Sequence, residues 1–162
     1  MINVLFLYAL KNFKFICDKA DKPFPFDEVR DTLKKNVKEA FFDAESGLFS
    51  ISIGGKEFCE LSNSLAILCE LTNLKETRVI AEKLASGTLE KASLSMKCFK
   101  YDALLKVSSR YRKNILNEIF ETYEPMVNSG ATTVFEVESG ASAFGNAGSL
   151  CHGWSAIPIL YL

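Results

Sequence analysis

Residues 62–85 read SNSLAILCELTNLKETRVIAEKLA and contain two helical patterns of different character. The first pattern, Ser62–Leu71, is apolar on most sides, which is typical of a buried helix. Thr72 and Asn73 separate it from the second pattern, Lys75–Ala85, which has one apolar face and is otherwise charged. An apolar helix followed at once by a half-solvated helix predicts a helical hairpin whose first helix faces the core.

The same alternation extends in both directions along the chain. It predicts an all-α fold of about seven helices arranged as helical hairpins, in a two-layer ring or solenoid. A compact bundle is the alternative, although a bundle has no need of the long irregular loop predicted over Ser129–Ser149. A short strand or an extended arm is predicted near Ile51 and Ile53, with Gly54 and Gly55 as its turn. The other predicted helices are Ile2–Asp18, Asp27–Phe42 with Asp27 as its cap, Leu94–Val107, Arg110–Met126 and Leu150–Leu162.

Length and composition limit the class of protein. The 162 residues predict a single domain over residues 1–162, because a domain usually takes about 100–200 residues. A hydrophobic content of 48% excludes intrinsic disorder, and a net charge of −1 argues against a nucleic-acid partner. No apolar run reaches the roughly 18–20 residues of a membrane span, so no membrane partner is predicted. The apolar run Val4–Leu10 lacks the basic start and the cleavage site of a signal peptide, which favours a buried helix.

The reactive side chains are few. Five cysteines are scattered without a C-x-x-C pair, which predicts free thiols in a reducing, cytoplasmic protein. A single histidine and no cluster of cysteines predict no metal site. The phosphate-binding pattern G-x-x-x-x-G-K-[ST] is missing, and no cofactor is predicted.

The loop over Ser129–Ser149 contains two carboxylates among small, neutral residues. Glu136 and Glu138 are two residues apart, so an extended backbone would place them on the same side. One or both could then act as a general base. The alternative is a pair of solvated loop glutamates, and the spacing alone does not distinguish the two.

The only histidine and the only tryptophan stand two residues apart, at the start of the last predicted helix. Together, His152 and Trp154 would form a sugar-contacting surface, with the indole ring for C–H stacking and the imidazole for hydroxyl groups. The alternative is a core tryptophan beside a capped histidine. Cys151 adjoins His152, but neighbours on a helix do not face each other, which argues against a thiol nucleophile pair.

Two segments of the chain resemble the bacterial α-L-rhamnosidases of glycoside hydrolase family 78. Residues 130–136, GATTVFE, are similar to that family's Gly-Ala-Thr-Thr-x-Trp-Glu, and residues 149–156, SLCHGWSA, to its Ser-Leu-Cys-His-Gly-Trp-Ser-Ala. Weaker similarity extends to residues 40–49, AFFDAESGLF, and to residues 62–66, SNSLA. The family's catalytic domain is a six-hairpin (α/α) toroid, so the resemblance implies that this chain is part of one.

The resemblance also implies roles for individual residues. Glu136 matches the general base of an inverting hydrolase, and His152 matches a residue that contacts the sugar. Trp154 belongs to the same motif, and Phe135 replaces the family's tryptophan while keeping an aromatic face. Inversion also needs a carboxylic acid roughly 6.5–9.5 Å from the base. In the family, the general acid and several sugar-stacking tryptophans lie in the first half of the toroid. We expect that half to be missing here, together with the family's C-terminal β-sandwich.

The resemblance therefore implies a fragment of a hydrolase that removes terminal rhamnose from glycans or glycosides, inactive as an isolated chain. The alternative is a non-catalytic helical or carbohydrate-binding module that self-associates as a homodimer, because half a ring would expose its inner helices. A third possibility is another six-hairpin hydrolase that acts on a different sugar. We expect truncation because the chain ends at Leu162 within the last predicted apolar helix.

Overall fold

Six α-helices of nine residues or more lie within residues 2–162, the part of the chain that the computed structural model describes. They are α1 (Ile2–Lys19), α2 (Asp27–Phe41), α3 (Glu60–Leu68), α4 (Leu74–Ala85), α5 (Lys97–Val107) and α6 (Arg112–Asn128). The pairs α1–α2, α3–α4 and α5–α6 are each in contact, which confirms the predicted all-α fold of helical hairpins. None of the helices in this described part is long and apolar enough to cross a membrane.

The chain divides into two compact units, Met1–Lys91 and Ala92–Leu162. This division does not test the single domain predicted over residues 1–162, which stays a prediction. In the first unit α1 packs on α2 and α3, and α3 packs on α4. All nine residues of α3 are buried, as its apolar pattern predicts. A capping box formed by Asn73 and Glu76 begins α4.

Helix α2 begins differently from the prediction. Its N-cap is Phe26, which makes no side-chain capping hydrogen bond, and Asp27 is the first helical residue. The Asp27 carboxylate forms an ion pair of 2.7 Å with Arg30, one turn later. An acidic group in the first turn also interacts favourably with the positive end of the helix dipole, so Asp27 supports the helix start without capping it.

A two-stranded antiparallel hairpin follows α2 and consists of β1 (Phe42–Asp43) and β2 (Leu48–Phe49). No strand forms at Ile51 and Ile53, because the strand pairing lies earlier in the chain, but the turn predicted at Gly54 and Gly55 is present, and the Gly55 amide donates to the Ser52 carbonyl at 3.2 Å. The turn between β1 and β2 explains the position of the pairing, since the Ser46 amide donates to the Asp43 side chain at 3.0 Å. Gly47 then takes a left-handed conformation with φ of 73°, which glycine adopts at little cost.

Two polar side chains fix this hairpin. Hydrogen bonds from Lys56 and then from Ser46 lower the pKa of Asp43 from 3.8 to about 2. On the other strand, the Phe49 amide donates to Asn63 Oδ1 at 2.9 Å, and Asn63 Nδ2 donates to the Phe49 carbonyl at 3.0 Å. Asn63, on α3, is fully buried. The hairpin is thus joined to the buried helix by a side-chain amide that pairs with both backbone groups of one residue.

In the second unit α5 and α6 are each preceded by one turn of 3₁₀-helix, Leu94–Met96 and Ser109–Tyr111. The Ser108 hydroxyl accepts a hydrogen bond from the Arg110 amide at the start of the second of these turns. Beyond α6 the chain is mostly irregular, with short turns at Gly140–Ser142 and Ala143–Asn146. The predicted irregular loop is therefore present, with these turns inside it.

The helix predicted over Leu150–Leu162 is wrong. This stretch has two 3₁₀ turns, Gly153–Ser155 and Ile157–Leu160, and His152 before them is extended, with φ of −139° and ψ of 109°. Glycine disfavours a helix, and Pro158 cannot donate the backbone hydrogen bond that a continuous helix would need. An apolar segment without charges looks like a buried helix in sequence, but here it forms two short 3₁₀ turns that contain Gly153 and Pro158 and are separated at Ala156.

Candidate functional site

The two segments that resemble the rhamnosidase motifs lie side by side in the second unit. The Glu136 amide donates to the Ser149 carbonyl at 2.9 Å, and the His152 amide donates to the Val134 carbonyl at 2.9 Å. The Thr133 hydroxyl adds a hydrogen bond to the Leu150 carbonyl. These contacts connect residues 13 to 18 positions apart and run in opposite directions along the two segments. They bring Glu136 and His152, two predicted site residues, onto paired backbone segments.

The carboxylate of Glu136 is half-buried and faces the second segment. Its Oε2 atom accepts a hydrogen bond of 3.3 Å from the Ser149 amide. Glu138 behaves differently, because the chain bends at Glu136 and turns at Glu138. The Glu138 carboxylate forms an ion pair of 3.5 Å with Lys97. The extended backbone that would align the two carboxylates is therefore not formed, and Glu136 alone faces the other motif.

His152 and Trp154 contact each other directly. Their rings are stacked, with centroids 3.9 Å apart and planes inclined by 22°. Trp154 remains 49% exposed. The Nδ1 atom of His152 is buried and has no hydrogen-bond partner within the described residues 2–162. The pair therefore offers a flat, partly solvated aromatic surface beside the backbone segment of Glu136.

Helix α6 supports the turn that carries Trp154. The hydroxyl of Tyr123 donates to the Ser155 carbonyl at 2.7 Å, and Ser155 is itself fully buried. Burial, and to a smaller extent the charge of Glu138, raises the pKa of Tyr123 from 10.0 to about 12. The phenol therefore stays protonated and able to donate at neutral pH.

Phe135 lines an open depression of about 270 Å³ that the other predicted site residues, Glu136, His152 and Trp154, do not line. A Cβ atom at Gly140 would lie only 3.1 Å from the Phe135 ring, so the loop packs closely on its edge. The contact of Phe135 with a sugar stays a prediction. The depression is lined by Ser129, Gly130, Ala131, Thr132, Thr133, Phe135 and Leu150.

Three residues that hold this region together were missed in the sequence. Tyr123 is part of the apolar face of α6 in sequence, and only the fold shows its hydrogen bond. Lys97 gives no sign of burial in sequence, because lysines are rarely buried. Gly148 belongs to a glycine-containing run that is ordinary in a loop, yet a Cβ atom there would lie 2.0 Å from the Gly140 carbonyl oxygen.

The chemistry available at these residues is that of a carboxylate beside an aromatic surface. A half-buried carboxylate can take a proton from water, and a stacked indole and imidazole can contact the C–H face and hydroxyl groups of a sugar. Within residues 2–162, no group of three or more histidine, cysteine, aspartate or glutamate side chains could hold a metal ion.

The chain is similar to known proteins in its three-dimensional structure. No family model matches the chain, and neither does any curated protein. Among solved structures, the GH78 family rhamnosidase of Bacillus sp. GL1 matches 96% of this chain with a TM-score of 0.77 and 24% identity. A rhamnosidase from Klebsiella oxytoca with rhamnose bound also matches 96% of this chain, with a TM-score of 0.77 and 19% identity.

The match is to a part of each of these proteins. The chain spans 18% of the Bacillus protein and 32% of the Klebsiella protein. At these identities the likeness is one of fold. The resemblance inferred from two short motifs is confirmed at that level: this chain has the fold of a part of the GH78 rhamnosidases.

Proposed function

We propose that this chain forms the base side of an inverting rhamnoside-hydrolase site, with Glu136 as the general base and His152 as a sugar-contacting residue. One observation carries the proposal: the two motif segments, separated in sequence, are hydrogen-bonded side by side through Glu136, Ser149, Val134 and His152. The fold shared with the rhamnosidases, one of which was solved with rhamnose bound, supports the choice of sugar.

In this mechanism the Glu136 carboxylate takes a proton from a water molecule. The water then attacks the anomeric carbon on the face opposite the leaving group, and the configuration inverts. The hydrogen bond from the Ser149 amide directs the carboxylate. Trp154 and His152 would bind the sugar ring beside it. The leaving oxygen needs a proton from a second carboxyl group, and we expect that acid to come from outside this chain.

Rhamnose binding is the direct test. Trp154 is the only tryptophan, so its emission reports on this site alone. We expect rhamnose to change the emission in a saturable way, and His152→Ala to weaken binding about tenfold or more. Glucose and mannose serve as comparison sugars, and a preference for either would favour a six-hairpin hydrolase of different specificity. A flat titration with every sugar contradicts the proposal.

Hydrolysis provides a separate test of the missing acid. We expect the purified chain not to turn over a nitrophenyl rhamnoside, because a base without an acid does not expel the leaving group efficiently. Turnover that Glu136→Gln abolishes would show that the acid lies within this chain. The matched control is Glu121→Gln, which makes the same change on the exposed surface of α6.

A second candidate function is a non-catalytic module that self-associates. An apolar groove of about 650 Å³ in the second unit has several exposed large side chains on its walls, and Glu124 is its only charged lining residue. The exposed apolar side chains of α1 lie among three lysines and one aspartate, so helix α1 of a second copy would complement the groove in both polarity and charge. The exposed lining residues are Phe120, Val127, Ile159 and Leu162.

Sedimentation tests this second candidate. We expect a concentration-dependent dimer that Val127→Glu dissociates, because a charge in the groove opposes apolar contact. The control is Val29→Glu, which introduces the same charge at an exposed position of α2. A wild-type monomer at all concentrations contradicts self-association.

A further inference from the structure

Two lysines on α5 are buried next to a glutamate on α6. Lys97 and Lys100 are 2% and 3% exposed, and their ammonium groups lie 2.8 Å and 2.7 Å from the Glu118 carboxylate. The two lysines are three residues apart, so they lie on the same face of the helix. Burial alone would raise the pKa of Glu118, but the charges of Lys100 and Lys97 outweigh it and lower the pKa.

The loop that carries the candidate base takes part in this cluster. Glu118 contributes one negative charge against two ammonium groups, and Glu138 contributes a second one, 3.5 Å from Lys97. Because a buried ammonium is costly unless it is paired, the cluster attracts the carboxylate of the loop towards α5.

Glu138 lies only two residues beyond Glu136, so its attachment restricts the backbone of the base. On the other side, the Glu136 segment is held by the hydrogen bonds to Ser149 and His152. We propose that Lys97 is a positioning residue, which orients Glu136 towards the Ser149–His152 segment by holding Glu138. This inference rests on the proposed function for its catalytic meaning, but the geometry can be tested without sugar.

Hydrogen exchange of two backbone amides tests the proposal directly. The amides of Glu136 and His152 both donate across the paired segments, so their protection measures how well the pairing is held. We expect Glu138→Gln to lower this protection about tenfold, while the amides of α6 keep theirs, because the ion pairs of Glu118 with Lys97 and Lys100 remain. Lys97→Arg should keep the protection, because it keeps the positive charge. Glu121→Gln is the matched control and should change neither region.

The possible outcomes separate this proposal from the proposed function. Unchanged protection in Glu138→Gln overturns the positioning role, as does an equal loss throughout α6, which would indicate general unfolding. If the wild type does not bind rhamnose but the amide protection falls as expected, the proposed function fails and the positioning of the segment stands. If it does bind, a weaker rhamnose affinity in Glu138→Gln, at unchanged unfolding free energy, supports both.

Discussion

Helix α3 and the paired segments around Glu136 both contain polar groups away from bulk water, but they satisfy them in different ways. Every residue of α3 is buried, and Asn63 forms hydrogen bonds with both backbone groups of Phe49. Around Glu136 most side chains are half-buried or exposed, with Ser155 as a buried exception, and the segments are joined by a few hydrogen bonds of 2.9–3.5 Å. The stability of the first region is shared among many contacts, whereas the geometry of the second depends on a small number.

This difference is expected to appear in local stability. Regions with few buried apolar contacts open at a lower free energy than the core of a domain. Substitutions near α3 should therefore lower the unfolding free energy, and a substitution in the loop beside Glu136 should disturb the paired segments.

Asn63→Leu should have the largest effect. The substitution keeps a similar volume but leaves the buried Phe49 amide without its partner, while the Phe49 carbonyl keeps only the hydrogen bond of 3.3 Å from the Ser62 hydroxyl. An unsatisfied buried group costs about 1–3 kcal/mol, so we expect the unfolding free energy to fall by about 3 kcal/mol. Urea denaturation followed by circular dichroism measures this. Asn36→Ala, at an exposed position of α2, should change it by less than about 0.5 kcal/mol.

Gly148→Ala should disturb the region around Glu136 most strongly. The new Cβ atom would lie 2.0 Å from the Gly140 carbonyl oxygen and 2.9 Å from Ala143 Cβ, so the backbone must shift. We expect the unfolding free energy, measured by urea denaturation, to fall by about 1–3 kcal/mol. We also expect the fluorescence emission of Trp154 to change. At Gly153 a Cβ atom would meet nothing within 4 Å, so Gly153→Ala is the matched control. Equal effects in both variants would contradict the close approach.

Asn73→Ala should have a moderate effect on the first unit. It removes the side-chain oxygen that accepts hydrogen bonds from the Lys75 and Glu76 amides at the start of α4. Loss of an N-cap of this kind costs about 1 kcal/mol. Thermal unfolding measures the loss, and Asn73→Asp should recover most of it because aspartate is also a good N-cap.

Asp43→Asn should have the smallest effect, and its effect should appear in how the unfolding free energy changes at acidic pH. Its pKa is lowered to about 2, below its value in an unfolded chain, so its contribution is complete above about pH 4. That contribution is lost as the pH falls towards about 2, where the folded-state carboxylate becomes protonated. Urea denaturation at several pH values should show a shallower acid dependence for Asp43→Asn. Asp21→Asn, at an exposed position, should keep the wild-type slope.

The helices of this fold could be predicted well from sequence. Their apolar periodicity, with Asn73 before α4 and two prolines after α1, gave boundaries within a few residues for the first six helices. The helix predicted over Leu150–Leu162 was wrong because the prediction gave more weight to the lack of charged residues than to Gly153 and Pro158, which disfavour a continuous helix. Hydrophobicity predicts burial, but it does not predict which backbone conformation is buried.

The candidate site could be predicted only in part. The motifs predicted site roles for Glu136 and His152, but the pairing of their segments depends on hydrogen bonds between distant residues, which periodicity does not predict. The attachment of Glu138 to Lys97 was missed for a similar reason, since a lysine buried among glutamates of other elements looks in sequence like any surface lysine. The site roles of Glu136, His152, Phe135 and Trp154 all stay predictions.

The loop between Glu136 and Ser149 leaves the paired segments and returns to them, and its tip at Phe144, Gly145 and Asn146 is exposed. The length of this tip is therefore largely independent of the geometry around the carboxylate. Insertions at such exposed tips are tolerated more readily than insertions in paired backbone. Under the proposed function, the residues of this loop could therefore differ between related chains while the Glu136 carboxylate keeps its place. The tip is then the natural place for loop libraries that leave the paired segments intact.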